Sequence, residues 1–258
     1  IKIAGGNNHK YYNIKCQGFT NASAKVIYSA SPTDGSWGHT FTNVTVKGNA
    51  GSYASFAITD YTSLKLDHCY ASTGGTFGFL IGSGVGITLD SCIAESHDNG
   101  VVLTTTLLGS APISGALFNN LYLEANDHGI DINDAYPGVE YVYGVVINDM
   151  TVSGVAGQVP ANDIPILVGK SRSLLINGGL VYSPNASANQ MIQIKSTSQE
   201  TRLVNTYFNT SAGRTAIYNA GSNTSIVQKP ASYTPSIAAS GGGFSAGNAT
   251  LAGQYFID

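Results

Sequence analysis

A short apolar pattern recurs eight times along this 258-residue chain. A large apolar residue is followed by apolar or small residues three and five positions later, often with Asn or another small polar residue at +2. The units are Tyr11, Asn13, Ile14, Cys16; Phe41, Asn43, Val44, Val46; Leu66, His68, Cys69, Ala71; Leu89, Ser91, Cys92, Ala94; Phe118, Asn120, Leu121, Leu123; Ile147, Asp149, Met150, Val152; Ile176, Gly178, Gly179, Val181; and Leu203, Asn205, Thr206, Phe208. Successive anchors are 23 to 30 residues apart. A period of that length means a solenoid or array of stacked units. The units alternate in the manner of short strands and are bounded by Gly, Asn and Ser, without helical periodicity. Leucine-rich repeats share the period, but their leucine spacing and helix formers are missing, and WD40 and kelch periods are longer. The pattern predicts an all-β chain folded as a right-handed parallel β-helix, a solenoid of about eight coils. Coils stacked about 4.8 Å apart give a rod on the order of 40 Å long. Asn at +2 suits a corner between strands, because it tolerates the left-handed conformation.

Only 10% of residues are charged, against roughly 25% in an average domain. With 43% apolar residues, disorder is excluded. Glu, Lys and Arg are too few to coat many surface helices. A formal net charge of −3 argues against a basic nucleic-acid groove. No run reaches the ~18 apolar residues of a membrane span. The chain opens on Ile1-Lys2-Ile3 and stops at Tyr255-Phe256-Ile257-Asp258, both strand-like, and is expected to be part of a longer polypeptide. The expected division is a β-helix over 1–229, then a linker and the start of a C-terminal region over 230–258. Cys69 and Cys92 share the +3 column and Cys16 takes a +5 position, which reads as core stacking. Neither a disulfide framework nor metal-ligand spacing appears. The sequence gives no reason to expect a cofactor or a metal centre.

Where charge is scarce, its clustering is informative. Glu95 precedes Glu124 by the same interval that separates Asp98 from Asp127, and the anchors Leu89 and Phe118 are spaced identically. Each pair therefore shares a column on neighbouring coils. Asp163 falls in the same turn column as Asp98 and Asp127, without a Glu beside it. Asp131, between inward Ile130 and Ile132, points outward by alternation, where neighbouring coils are expected to expose Val102 and Leu167. Stacked carboxyls resist joint ionisation. A protonated acid beside an ionised one is what glycoside cleavage needs, at ~5–5.5 Å for retention and ~6.5–9.5 Å for inversion. The expected catalytic cluster is Glu95, Asp98, Glu124, Asp127 and Asp131. The competing readings are backbone-capping turn carboxylates, solvated charges, and a Ca²⁺ site. No EF-hand or glycine-aspartate nonapeptide supports the last.

Candidate substrate-binding residues are His97 and His128, in the same turns as the carboxylates; Tyr122, at the outward +4 position; Trp37, in the glycine-flanked Gly35-Ser36-Trp37-Gly38; and Arg172, in Lys170-Ser171-Arg172. Tyrosine and tryptophan present flat faces to sugars, although β surfaces use tyrosine in any case. Six Asn-x-Ser/Thr sequons carry little weight in so Asn-, Ser- and Thr-rich a chain.

Over about residues 1–229 the coil pattern resembles the pectate-lyase-like β-helix superfamily, which includes polygalacturonases, pectate lyases and phage tailspikes. Polygalacturonase-type motifs are absent apart from Asp127-His128-Gly129, and no pectate-lyase arginine motif is present. Tyr233-Thr234-Pro235-Ser236-Ile237, Ser240-Gly241-Gly242-Gly243 and Gly253-Gln254-Tyr255-Phe256-Ile257 resemble the stretch that follows the β-helix in many phage tail proteins. That resemblance implies a homotrimeric tailspike of the virion tail that binds and depolymerises bacterial surface polysaccharide (capsule, O-antigen or exopolysaccharide), with carboxylates on the helix face or between subunits. It implies neither nucleic-acid binding nor membrane insertion. A polysaccharide lyase, with His128, Tyr122 and Arg172 as base and cation, a non-enzymatic glycan-binding shaft or adhesin, and a secreted pectinolytic enzyme are the alternatives.

Overall fold

The computed structural model describes residues 2–3, 7–19, 25–29, 36–48, 52–73, 75–106, 112–138, 140–154, 164–182, 190–209, 215–227 and 236–239. Among them there is no helix. Short strands pair in parallel into sheets of ten, fourteen and eight strands, and neighbours in each sheet come from successive repeat units. One coil shows the path. Ile113–Ser114 and Leu117–Asn119 lie in the fourteen-stranded sheet, Tyr122–Glu124 in the eight-stranded sheet and His128–Ile132 in the ten-stranded sheet. The chain is therefore a β-solenoid, as the repeat predicts.

The repeat sets the register. Anchor residues pair one above another, from Tyr11 with Phe41 through Phe118 with Ile147 to Ile176 with Leu203. The +5 residues pair likewise, from Cys16 with Val46 to Val181 with Phe208. These inward columns fill one continuous core. Phe56 and Phe79 stack 4.8 Å apart at 17°, close to the strand spacing. Cys69 and Cys92 are fully buried there, and each donates its thiol to a backbone carbonyl. The core continues one unit past the eight read from the sequence, with Leu203 paired to Ile226. Ser236–Ala239 adds a further strand to the ten-stranded sheet.

Every +2 residue is left-handed: Asn13, Asn43, His68, Ser91, Asn120, Asp149, Gly178 and Asn205 all have φ between 50° and 76°. A second left-handed column lies three residues before each anchor, from Asn8 through Gly115 and Gly144 to Asn223. At these corners the amide turns along the rod axis. Asn120 N–H donates to the Asn148 carbonyl at 3.0 Å, and Gly115 N–H to the Tyr143 carbonyl at 3.0 Å. The corners thus extend the coil-to-coil ladder where the strands break. A β-branched residue fits the left-handed well poorly, at about 1–2 kcal/mol. Asn120→Val is therefore expected to lower stability by roughly that amount and Asn120→Gly by less, measured by denaturant midpoints.

The outer face of the ten-stranded sheet departs from expectation. Val102 and Leu167 are buried rather than exposed. Ala54, Ala57, Phe77, Leu80 and Val102 form a second apolar cluster outside the solenoid, against which Tyr53 and Tyr136 pack. The rings of both tyrosines meet Phe77 edge-on, each at 5.2 Å. Tyr136 belongs to residues 133–138, which run over this face. Thr104 and Thr106 of the preceding coil hold the segment through hydroxyl bonds to the carbonyls of Tyr136 and Pro137, at 2.8 and 2.9 Å.

Candidate active site

The eight-stranded sheet turns into the ten-stranded sheet through residues 96–98 on one coil and 125–127 on the next. Ser96 and Ala125 hold φ near 60°, and their amides donate to Glu124 and Ser153 carbonyls on the following coils. Asn126 fixes the turn below. Its Oδ1 accepts from His97 N–H at 3.0 Å, and its Nδ2 donates to the Ala94 carbonyl at 3.0 Å. Ser96, His97, Asp98, Ala125 and Asp127 line an open depression of about 330 Å³.

Glu95 and Glu124 stand on one edge of this corner. They are direct register partners on the strands Ile93–Glu95 and Tyr122–Glu124. Both are partly exposed on the outer face. The Tyr70 hydroxyl, from the coil before, donates to Oε2 of Glu95. Burial first, and then the Glu95 carboxylate, push the Tyr70 phenol above its ordinary value. The Tyr122 phenol is also raised, chiefly by its hydrogen bond to Glu124. Tyr122 is 39% exposed.

Asp98 and Asp127 stand on the other edge. Burial raises Asp98, while a hydrogen bond from Thr76 and the charge of His128 act against the rise. His128 Nδ1 is 2.9 Å from the Ile164 carbonyl. A carbonyl only accepts, so Nδ1 carries a proton and donates it there. His97 is nearly fully buried and shares a 3.3 Å hydrogen bond with Ser55 Oγ. Burial holds it down at about 4, so it is neutral at pH 7 and a positioning part of the turn.

Glu95, Tyr122 and Glu124 thus share the outer face of the eight-stranded sheet, while His97, Asp98 and Asp127 lie in the turns that follow and line the depression. Asp131 lies beyond them on the ten-stranded sheet, where His128 acts on it as it does on Asp98. Asp131 points outward as alternation requires, but it is fully buried, because residues 133–138 cover it. Its Oδ1 accepts from Asp134 N–H at 2.9 Å and its Oδ2 from Ala135 N–H at 3.1 Å. This carboxylate caps the covering segment. Trp37 is exposed, but on the fourteen-stranded sheet, paired with Thr62. Arg172 is on that sheet also; its guanidinium donates to Gln199 Oε1 and lies 5.5 Å from the Tyr141 ring centroid. Asp163 and the segments 233–235 and 240–258 lie outside the described residues. Among the described residues no group of three or more His, Cys, Asp and Glu side chains is placed to hold a metal ion.

Reading the sequence missed Tyr70 and Asn126. Tyr70 occupies the +4 position of the coil below Ile93 and could have been found from that register. Asn126 adjoins the acidic column, and only the fold shows its amide bridging two coils.

No family model matches the chain, and no curated protein matches it. Among solved structures, it is similar to the catalytic unit of a thermostable GH87 alpha-1,3-glucanase from Streptomyces thermodiastaticus strain HF3-3. The TM-score is 0.45 and the identity 12%, over 94% of this chain and 45% of that one. The chain therefore spans less than half the length of that structure.

Proposed function

We propose that this domain is a glycoside hydrolase that cleaves polysaccharide at the Glu95–Glu124 corner. The observation that carries the reading is the in-register pairing of these two carboxylates on an accessible face, with the Tyr70 hydroxyl donating to one of them. Paired strands are about 4.8 Å apart, nearer the ~5–5.5 Å carboxyl separation of retaining enzymes than the ~6.5–9.5 Å of inverting ones. In this reading Glu95, held by the Tyr70 hydroxyl, is the nucleophile that attacks the anomeric carbon. Glu124, beside it, is then the acid that protonates the leaving oxygen and afterwards the base that activates water. Asp98, Asp127 and His128 line the approach and bind sugar hydroxyls.

A lyase acting on a uronate needs a cation against the carboxylate. Arg172 is engaged elsewhere, and among the described residues no ion pair involves Glu95, Asp98 or Glu124. Hydrolysis is therefore favoured. The tail-protein resemblance of the C-terminal stretch supports the wider proposal of a homotrimeric tailspike of the virion tail acting on bacterial surface polysaccharide. Incubation with host capsule or O-antigen is expected to release reducing ends without the ultraviolet absorbance of an unsaturated product. Appearance of that absorbance would make the enzyme a lyase, and binding without release would make it a glycan-binding shaft.

A further inference from the structure

The outer face of the eight-stranded sheet carries two side-chain columns. One runs from Lys15 and Thr45 through Tyr70, Ile93, Tyr122, Thr151 and Leu180 to Tyr207; the other runs from Lys47 through Ser72, Glu95, Glu124 and Ser153 to Tyr182. Beyond Glu124 the strands Thr151–Ser153, Leu180–Tyr182 and Tyr207–Asn209 contain no charged residue. Tyr182 is 36% exposed and Tyr207 is 47% exposed. In a chain soluble through polar side chains, such flat rings left in water on successive coils are an interaction surface.

We infer that this face is a binding track for an uncharged glycan chain lying along the rod axis and entering the Glu95–Glu124 corner. Three features select that occupant. Tyrosine rings among Thr and Ser present flat apolar faces beside hydroxyl partners, which matches the alternating C–H and O–H surfaces of a sugar. The track ends at a pair of carboxylates, which repel a uronate- or phosphate-bearing polymer. Its rise of about 4.8 Å per coil sets Tyr207 roughly 14 Å from Tyr122, a span for a short run of sugar units. A second copy of this chain fits less well. The strip is two side chains wide, whereas a stable dimer buries about 800 Å² per partner over roughly 20–30 residues a side.

The direction of the chain along the track rests on the hydrolase reading; binding to the track does not. The test is a printed array holding uncharged polysaccharides (glucans, mannans, galactans) beside polygalacturonate, hyaluronate and sialylated glycans. It is probed with Glu124→Gln protein, in which cleavage is blocked, with and without Tyr182→Ala and Tyr207→Ala. Retention on uncharged glycans is expected. Each tyrosine substitution weakens it about tenfold, the value of one stacking contact, and the unfolding midpoint stays unchanged because both side chains are at the surface. Retention confined to acidic glycans, no retention on any uncharged one, undiminished binding by the double variant, or loss of an oligomer in that variant would each overturn the inference. Retention on an uncharged glycan from which wild-type protein releases no reducing ends would sink the hydrolase reading and leave the track standing.

Discussion

Glu124→Gln and Glu95→Gln are each expected to lower polysaccharide cleavage by about 10²–10⁴-fold, the usual contribution of a positioned acid, base or nucleophile. Gln keeps the size of Glu and an acceptor oxygen. The Tyr70 hydroxyl can still donate at position 95, so the local fold should hold. What disappears is the charge at one position and the transferable proton at the other. The double variant should be scarcely worse than either single one, because groups that act as a unit do not add. Reducing-end release measures the effect, and the thermal midpoint verifies the fold. If both single variants keep more than a tenth of the activity, the chemistry does not sit on this pair, and Asp98→Asn and Asp127→Asn become the deciding substitutions.

The second large effect concerns Asp131, which caps the segment over the ten-stranded sheet. Asp131→Ala strands the buried amides of Asp134 and Ala135 and releases the segment over the outer apolar cluster. An orphaned buried donor costs about 1–3 kcal/mol, and a bond to a charged acceptor contributes about 1.5–3 kcal/mol. Relief of the buried charge offsets part of this, leaving a net loss of about 2–4 kcal/mol and a midpoint lower by on the order of 10 °C. The variant should also alter the response to acid. Burial, with the Asp134 charge adding to it, pushes Asp131 up to about 6, against the two backbone donors. Its contribution to stability is therefore complete below about pH 4 and is lost as pH rises through 6. His97, pushed down to about 4 by burial, acts in the opposite sense. Its contribution is complete above about 6.5 and is lost as pH falls through 4. The two oppose each other, so the wild-type midpoint should vary little between pH 7 and 4.5. In Asp131→Ala the strongest opposing carboxyl is gone, and the midpoint should fall more with acid than that of the wild type. A variant as stable as wild type at pH 7, with the same flat profile, would refute the capping role.

These expectations separate what a periodic sequence discloses from what it conceals. Column membership was legible. All eight anchors and all eight +5 residues pair as their spacing requires, and each +2 residue is left-handed whether it is Asn, His, Ser, Asp or Gly. The backbone demand is the same in every coil, and Asn recurs often enough to reveal it. The second corner column was hidden because Asn, Gly, Ser and Glu share it without a dominant type. Alternation correctly turned Asp131 outward, but it could not show that residues 133–138 fold over that face. The two-residue period reports which side of a sheet a residue occupies, not what lies beyond it. Glu95 and Glu124 were found because their separation equals the interval between the anchors of their own coils. Tyr70 sits on a coil of different length, where simple subtraction misleads.

The in-register ladder also bears on how a molecule of this kind changes length. Anchors 89, 118, 147 and 176 are evenly spaced, and each coil touches chiefly the one before and the one after. Removing or duplicating the interval from 147 to 176, which holds neither glutamate, rejoins every column to a residue of the same role, since the partners of Ile147 are Phe118 on one side and Ile176 on the other. Length is then a modular quantity, altered in whole-coil steps while the carboxylate corner stays as it is. The distance between that corner and either end of the solenoid can drift over generations without the geometry of the carboxylate pair being rebuilt.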